Sequence, residues 1–357
     1  MKAIAVIPGE KNSARLLDVP VPDIDDNEVL VRSVRAGVCS TDREVHKGLY
    51  GTAPSGEDYL ILGHESFGVV EFVGRNVSGF KKGQYVVRTV RRPCSACDNC
   101  SSGASDVCST GNFSESGIKE LHGCMAEYFK DDPNYLIPVP AELADLSVLL
   151  EPMSVVEKVL RQSYLIQRRL EWKPKNAMII GAGPIGLLQA MLLVENGMTV
   201  NVVARSPPFN LKSKLVASIG ARYISTSYQS LDEAVRDIGH LDLIVEASGN
   251  STMAFAAMEN LENNGVLCLT SITGGKMETV VASDKINLDL VLGNKVVFGT
   301  VNANIVDYQN GLRSLEKFAN RWPDVLPAMF TRRVPLQQYA FALENFSEDI
   351  KTTIEIS

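Results

Sequence analysis

At 357 residues, 45% hydrophobic and 22% charged, the chain is too long for one ordinary core and reads as two domains. Its net charge of −7 argues against nucleic acid or an anionic membrane as the main partner, and no apolar run reaches the roughly 20 residues of a membrane-spanning helix. Met1-Lys2-Ala3-Ile4-Ala5-Val6 reads as a first strand and not as a secretory signal, so a cytoplasmic protein is expected.

Residues 1–90 carry short β-type segments at 3–7, 28–34 and 67–73, separated by turns such as Pro20-Val21-Pro22-Asp23 and Lys82-Gly83-Gln84. Gly37-Val38-Cys39-Ser40-Thr41-Asp42 follows a strand and opens a short helix that Ser40, Thr41 or Asp42 can cap. Cys39 thus lies at a strand-to-helix junction, where a side chain can face a cleft. Taken alone, it is better explained as a small buried apolar residue. Gly63-His64-Glu65 sits at a bend between the apolar runs 59–62 and 67–70. The chain has only four histidines, so His64 is a candidate ligand, although a satisfied structural His-Glu pair is the simpler reading in isolation.

Cys94-x2-Cys97-x2-Cys100-x7-Cys108 gathers four of the seven cysteines within residues 94–108. In a chain this large the cluster points to metal and not to a disulfide scaffold. Four thiolates at this spacing close a tetrahedral zinc site, which adds folding free energy and leaves no open position for substrate. A nucleic-acid-binding zinc ribbon is disfavoured because Ser101-Ser102-Gly103-Ala104-Ser105-Asp106 is not basic. Further on, Glu115 stands in Phe113-Ser114-Glu115-Ser116-Gly117, and His122 and Cys124 read as packed residues at a strand edge. Glu151 stands at the start of a helix expected over residues 153–167, whose N-terminus can stabilise its charge.

The composition then changes. Residues 175–180 form a continuous apolar strand that runs into Gly181-Ala182-Gly183-Pro184-Ile185-Gly186, a helix from 187 and a second strand at 199–203. A G-x-G-x-x-G between strand and helix is a dinucleotide-binding turn, with the pyrophosphate at the helix N-terminus. The second strand ends in Ala204-Arg205-Ser206 in place of the acidic residue that would accept from a ribose 2′-hydroxyl. Arg205 can pair with a 2′-phosphate and Ser206 can donate to it, so NADP is preferred, with NAD the alternative. Strands at 241–247, 265–271 and 295–302 alternate with helices at 252–261 and 305–318, which gives a doubly wound parallel α/β sheet. Ligands sit at the carboxyl ends of such strands, so Thr270, Ser271, Ile272, Thr300, Val301 and Asn302 are candidates to line the nicotinamide pocket. Residues 350–356 alternate as a final strand.

Cys39-x-x-Asp42, Gly63-His64-Glu65, the four-cysteine lobe, Glu151-Pro152 and the Rossmann glycines occur in this order, and the set resembles the zinc-containing medium-chain alcohol dehydrogenases along essentially the whole chain. Closer still is the resemblance to the archaeal glucose dehydrogenases. It is carried by Cys39-Ser40-Thr41-Asp42-Arg43-Glu44, Leu62-Gly63-His64-Glu65, Val90-Arg91-Arg92-Pro93, Gly117-Ile118, His122-Gly123, Asn294-Lys295 and Gly299-Thr300-Val301-Asn302. The resemblance implies a GroES-like β-rich catalytic domain over 1–152 with the zinc lobe at 94–108, a Rossmann domain over 153–303, and a return to the catalytic domain over 304–357. It implies two zinc ions per chain. The catalytic one is held by Cys39, His64 and Glu65, with Glu151 as fourth or intermittent ligand, and the structural one by Cys94, Cys97, Cys100 and Cys108. In many relatives the Glu after the His stands behind the metal, so whether Glu65 binds directly is open.

The resemblance also implies sugar contacts from Thr41, Glu115, Glu151 and Asn302, with Thr41 relaying a proton. Val90 and Val155 stand where some members have polar sugar contacts. The implied reaction is oxidation of glucose, or another aldose such as galactose, at C1. A zinc-dependent polyol or alcohol dehydrogenase and a non-catalytic NADPH-binding protein are the alternatives. A homo-oligomer, dimer or tetramer, is expected.

Overall fold

The computed structural model describes residues 1–273 and 276–357. It forms two compact units: Met1–Ser154 with Asn302–Lys317 and Leu326–Ser357, and Val155–Val301 with Phe318–Val325.

The first unit is mostly sheet. In chain order its elements are β1 (Lys2–Val6), β2 (Arg15–Asp18), β3 (Val29–Val38), α1 (Ser40–His46), β4 (Leu60–Ile61), β5 (Glu65–Val73), β6 (Tyr85–Arg88) and β7 (Arg91–Arg92). The cysteine segment contributes the one-turn helix α2 (Asp98–Ser101), and β8 (Ser114–Ser116), β9 (Glu120–Leu121), β10 (Tyr128–Asp131) and β11 (Leu136–Pro138) follow. β3 shows why these segments are strands. Val29, Val31, Ser33 and Arg35 are buried in alternation, and from Ala36 to Val38 every residue is buried. The central sheet runs β11-β6-β5-β3 and then, with β10 also paired to β3, continues to the last two strands of the chain. Ile4, Val31, Leu60, Leu62, Val70, Met125 and Ile354 lie in its core.

Helix α3 (Leu150–Ile166) begins earlier than the sequence reading placed it, so Glu151 falls in its first turn and the unit boundary falls inside it. The second unit then reads β12 (Asn176–Ile180), α4 (Pro184–Glu195), β13 (Thr199–Ala204), α5 (Leu211–Ser218), β14 (Arg222–Ser225), α6 (Leu231–Ile238), β15 (Leu243–Glu246), α7 (Ser251–Glu259), β16 (Val266–Leu269), α8 (Ser283–Leu292) and β17 (Val296–Gly299). Among the described residues its six strands are all parallel, in the order β14-β13-β12-β15-β16-β17. The sheet reverses direction of growth at β12, and in open α/β sheets that switch point is where nucleotides bind. Met178, Ile180, Val203, Ile244 and Leu267 form its core. β16 and β17 are shorter than expected, which leaves Thr270, Ser271, Ile272, Thr300, Val301 and Asn302 in the loops beyond their carboxyl ends.

The chain closes with α9 (Ile305–Arg321), α10 (Val325–Ala328), β18 (Phe330–Pro335), α11 (Tyr339–Leu343) and β19 (Lys351–Glu355). β19 pairs antiparallel with β3, Thr353 opposite Gly37, and Gly37 lies opposite Glu65 on β5. Among the described residues no helix is long and apolar enough to cross a membrane.

Candidate active site

Three side chains from three places in the first unit converge. Cys39 is the N-cap of α1, His64 sits in the bend between β4 and β5, and Glu65 is the first residue of β5. Their ligand atoms lie within 4.8 Å of one another, and Cys39 Sγ is 3.1 Å from His64 Nε2. The cap differs from the sequence expectation of Ser40, Thr41 or Asp42. The Cys39 sulfur itself accepts the Thr41 N–H at 3.2 Å, and Asp42 accepts the Cys39 N–H at 2.9 Å. The thiolate is the form of cysteine that binds metal.

The surroundings place charge around this cluster. Asp42, fully buried, lies 3.4 Å from His64 Nδ1, on the ring edge away from Cys39. Burial works against its charge, but the His64 ring and the Cys39 N–H hold its carboxyl below the ordinary range. Burial likewise disfavours a charged His64, yet Cys39 and Asp42 hold its pKa well above the ordinary imidazole value. Lys351, 1% exposed, forms an ion pair with Glu65 Oε2. Gly37 makes room for that pair, because a Cβ there would overlap the Glu65 carboxylate and Val148. Glu151 is also buried but lies outside the 4.8 Å set. Burial pushes its carboxyl up to about 7, with His64 opposing the rise and Glu65 adding to it. Cys124, the other thiol near this bend, is pushed up to about 12 by burial and packs as an apolar residue, its N–H bonded to Gly63 O at 2.9 Å.

These residues fit zinc. One sulfur, one imidazole nitrogen and one carboxylate are the donors zinc takes in catalytic sites, and tetrahedral ligation at 2.0–2.3 Å sets ligand atoms about 3.3–3.8 Å apart. The ring tautomer that offers Nε2 to the metal is the one Asp42 supports from Nδ1.

The four-cysteine lobe fits a second zinc. Cys94, Cys97, Cys100 and Cys108 lie within 4.8 Å of one another, with Cys97 Sγ 4.0 Å from Cys108 Sγ. Backbone N–H groups of Cys100 and Ser109 lower the Cys97 thiol to about 5, and the Thr110 hydroxyl lowers Cys108 to about 7. Burial, together with the neighbouring thiols, pushes Cys100 up to about 12, so a cation is what would draw it into the thiolate form.

Thr41 lies on the first turn of α1, beside Cys39. Glu115 on β8 faces Arg91 on β7 across the antiparallel pair. Its Oε1 accepts from Arg91 Nη2 at 2.8 Å, Arg91 Nε at 3.0 Å and Asn302 Nδ2 at 2.7 Å. Asn302, 8% exposed with φ 61, belongs to the first unit and so joins Glu115 in space across 187 residues of chain. His122, by contrast, is structural: it stacks on Tyr59 at 5.1 Å and pairs with Glu57 at 2.8 Å.

In the second unit Gly181 has φ 116, and a Cβ there would meet Ala247 O at 2.6 Å, so only glycine makes this turn. Gly183 caps α4, with Pro184 and Ile185 in its first turn and Gly186 buried behind. At the end of β13, Ala204 is followed by an exposed Arg205 and by Ser206. Their backbones are pinned: Ser227 Oγ donates to Arg205 O at 2.5 Å and Tyr223 Oη donates to Ser206 O at 2.8 Å. Thr270 Oγ1 is taken by Glu246 O at 2.7 Å, and Ser271 Oγ accepts the Gly249 N–H at 3.0 Å. Both hydroxyls therefore hold the loop. Among the described residues Thr300 Oγ1 is buried without a partner, and Ile272 and Val301 are exposed.

Sequence reasoning missed Lys351, Gly37, the hold of Asp42 on His64, and Arg91 as the partner of Glu115. Apart from the Cys39-x-x-Asp42 spacing, none has a local signal, since each acts through sheet register or a turn of helix.

A mixed zinc centre in a β-rich unit, with a Rossmann sheet in the second unit, defines a zinc-dependent dehydrogenase of the medium-chain type, α/β in class with a GroES-like domain. Residues 25–141 match the Alcohol dehydrogenase GroES-like domain family, and residues 144–356 match the family described as Glucose dehydrogenase C-terminus. The chain belongs to the glucose dehydrogenase family. It is 44% identical to a glucose 1-dehydrogenase of Methanocella arvoryzae, over 100% of this chain and 99% of the relative. It is 38% identical to one of Thermoproteus tenax, again over 100% and 99%. A solved structure of Haloferax mediterranei glucose dehydrogenase, in complex with NADP, Zn and gluconolactone, superposes with TM-score 0.91 at 31% identity, covering 100% of this chain and 99% of that one.

Proposed function

We propose that the chain oxidises D-glucose at C1 to gluconolactone and passes the hydride to NADP+, with NAD+ the alternative acceptor and galactose or other aldoses as further substrates. The observation that carries this is the cluster of Cys39, His64 and Glu65 in the same unit as the Glu115–Asn302 pair. One is a site for a catalytic cation, the other a polar grip suited to a many-hydroxyl substrate and wasted on a simple alcohol.

Bound zinc supplies Lewis acidity and bound NADP+ the hydride acceptor. Cys39, His64 and Glu65 hold the cation, with Glu151 as the fourth or intermittent ligand, while the four cysteines of the lobe hold a structural one. Thr41 accepts the proton of the C1 hydroxyl and hands it toward solvent as the C1 hydride leaves. Glu115, Glu151 and Asn302 orient the ring hydroxyls. Gly181, Gly183 and Gly186 let the pyrophosphate approach the α4 N-terminus, and Arg205 with Ser206 receives the 2′-phosphate. We place the enzyme in the cytoplasm as a dimer or tetramer, which light scattering on the purified protein resolves.

The test is NADP+ reduction with glucose, galactose, xylose, sorbitol and ethanol, with and without chelator. Glucose should give the highest kcat/KM and the chelator should abolish it. Sorbitol or ethanol turning over faster than every aldose would establish the polyol or alcohol reading instead. Arg205→Ala should weaken NADP+ binding by about 10- to 100-fold, the worth of one charge-assisted contact, and leave NAD+ binding nearly unchanged.

A further inference from the structure

We infer that Arg91 determines how the sugar is read. It locks one oxygen of Glu115, so that the carboxylate offers a single acceptor to a single sugar hydroxyl, and it is itself held by the four-cysteine lobe. This rests on the reading that Glu115 contacts the sugar.

An unconstrained carboxylate can grip two neighbouring hydroxyls with its two oxygens, and it can swing between grips. Glu115 can do neither. Its Oε1 takes two N–H groups of Arg91 and one of Asn302, all at 3.0 Å or less, which saturates that atom. Among the described residues Oε2 receives no hydrogen bond. Asn302 is fixed in the same way. Its Oδ1 accepts the Ala303 N–H at 2.8 Å while its Nδ2 donates to Glu115, so a flipped amide would break both contacts. What remains is one acceptor, Glu115 Oε2, and one N–H of Asn302, an ordered acceptor–donor pair. Such a pair distinguishes one arrangement of sugar hydroxyls from its epimer more sharply than a mobile carboxylate does.

Arg91 is anchored at its other edge. Nη1 donates to Asp106 O at 3.0 Å and to Ser105 O at 3.5 Å, both within the lobe, and the guanidinium lies 3.7 Å from the Phe113 ring centroid. Asn304, two residues beyond Asn302, donates to Asp106 Oδ1 at 3.1 Å. The lobe therefore helps set the position of both members of the pair. Arg91 is 6% exposed in its side chain and touches no reacting atom; it acts through Glu115.

The experiment uses the zinc-loaded enzyme and the variants Arg91→Met, Arg91→Lys, Glu115→Ala and Arg91→Met/Glu115→Ala. It reads KM and kcat for glucose and its epimers galactose and mannose, calorimetric binding of glucose to the enzyme–NADPH complex, and the NADPH dissociation constant. Arg91→Met should raise the glucose KM and dissociation constant about tenfold, change kcat less, erode the preference among epimers, and leave NADPH binding alone. Arg91→Lys, which keeps the charge but not the fork, should fall between. In the Glu115→Ala background Arg91→Met should add nothing to the sugar effect, because the two act as one unit. Wild-type glucose binding and epimer ratios in both Arg91 variants, with Glu115→Ala impaired, would overturn the inference. Unimpaired Glu115→Ala would instead sink the sugar-contact reading beneath it. If Arg91→Met does not fold, Arg91→Lys decides on the same measurements.

Discussion

The two metal clusters of the first unit use the same element chemistry to opposite ends. The lobe closes around four sulfurs supplied by one short loop, between 94 and 108. The other cluster is assembled from β3–α1 and β5, mixes sulfur, nitrogen and oxygen, and sits among further buried charges: Asp42, Glu151 and Lys351. A closed site needs only its own ligands to be stable. An open one must keep a position free for substrate, so neighbouring groups have to hold its ligands in place, and those groups carry the cost of burial. On this comparison the proposed catalytic cluster should be the more fragile of the two, with its weak points outside the proposed ligand set.

The largest effect should come from the ligands themselves. Cys39→Ser or His64→Ala should lower kcat/KM by at least about 10³-fold, as expected when several kcal/mol of Lewis-acid stabilisation is lost. Metal analysis should then find the lobe zinc retained. Loss of both metals would break the comparison, since it would show the sites to be interdependent.

Lys351→Met tests the burial cost. In the zinc-free protein it leaves the Glu65 carboxylate buried without its counter-charge, which typically destabilises by about 3–5 kcal/mol. The thermal midpoint should fall, and Lys351→Met/Glu65→Gln should recover much of the loss. A double variant no more stable than Lys351→Met would remove Lys351 as the partner of Glu65.

Asp42→Asn keeps shape and loses the charge facing His64 Nδ1. Catalytic zinc should bind about 10- to 100-fold more weakly in a competition titration, with the lobe unaffected. The smallest effect on kcat should come from Cys97→Ser. It should release the lobe zinc and expose the 94–108 loop to protease while the catalytic zinc stays, with glucose KM rising because Arg91 loses its backbone anchors. A fall in kcat as deep as that of His64→Ala would show the lobe to be more than a scaffold.

Legibility in the sequence followed the same division. The Cys94–Cys108 spacing and the Gly181–Gly186 turn each complete their function within a few residues, so pattern alone suffices to read them. The parallel sheet was legible because apolar strands alternated with helices, although β16 and β17 ended earlier than their apolar runs implied. The cap of α1 was misread. Ser40, Thr41 and Asp42 are the usual capping types, but the Cys39 sulfur takes that place while Asp42 turns back to the Cys39 N–H and toward His64. A propensity scale cannot anticipate a side chain recruited by a neighbour 22 positions away.

By itself the sequence determined the class of the second unit, and it picked out the four cysteines of the lobe and, through resemblance, Cys39, His64 and Glu65, which the structure brings together. Only the tertiary structure decided what supports them. Lys351 reaches Glu65 because β19 lies beside β3 in a register that puts a glycine, Gly37, between them. Arg91 and Asn302 meet on Glu115 because a hairpin register and a loop far along the chain close on the same oxygen. Ligands are chosen for their chemistry, which residue type reveals. The groups that hold ligands are chosen for position, and position exists only once distant strands have paired.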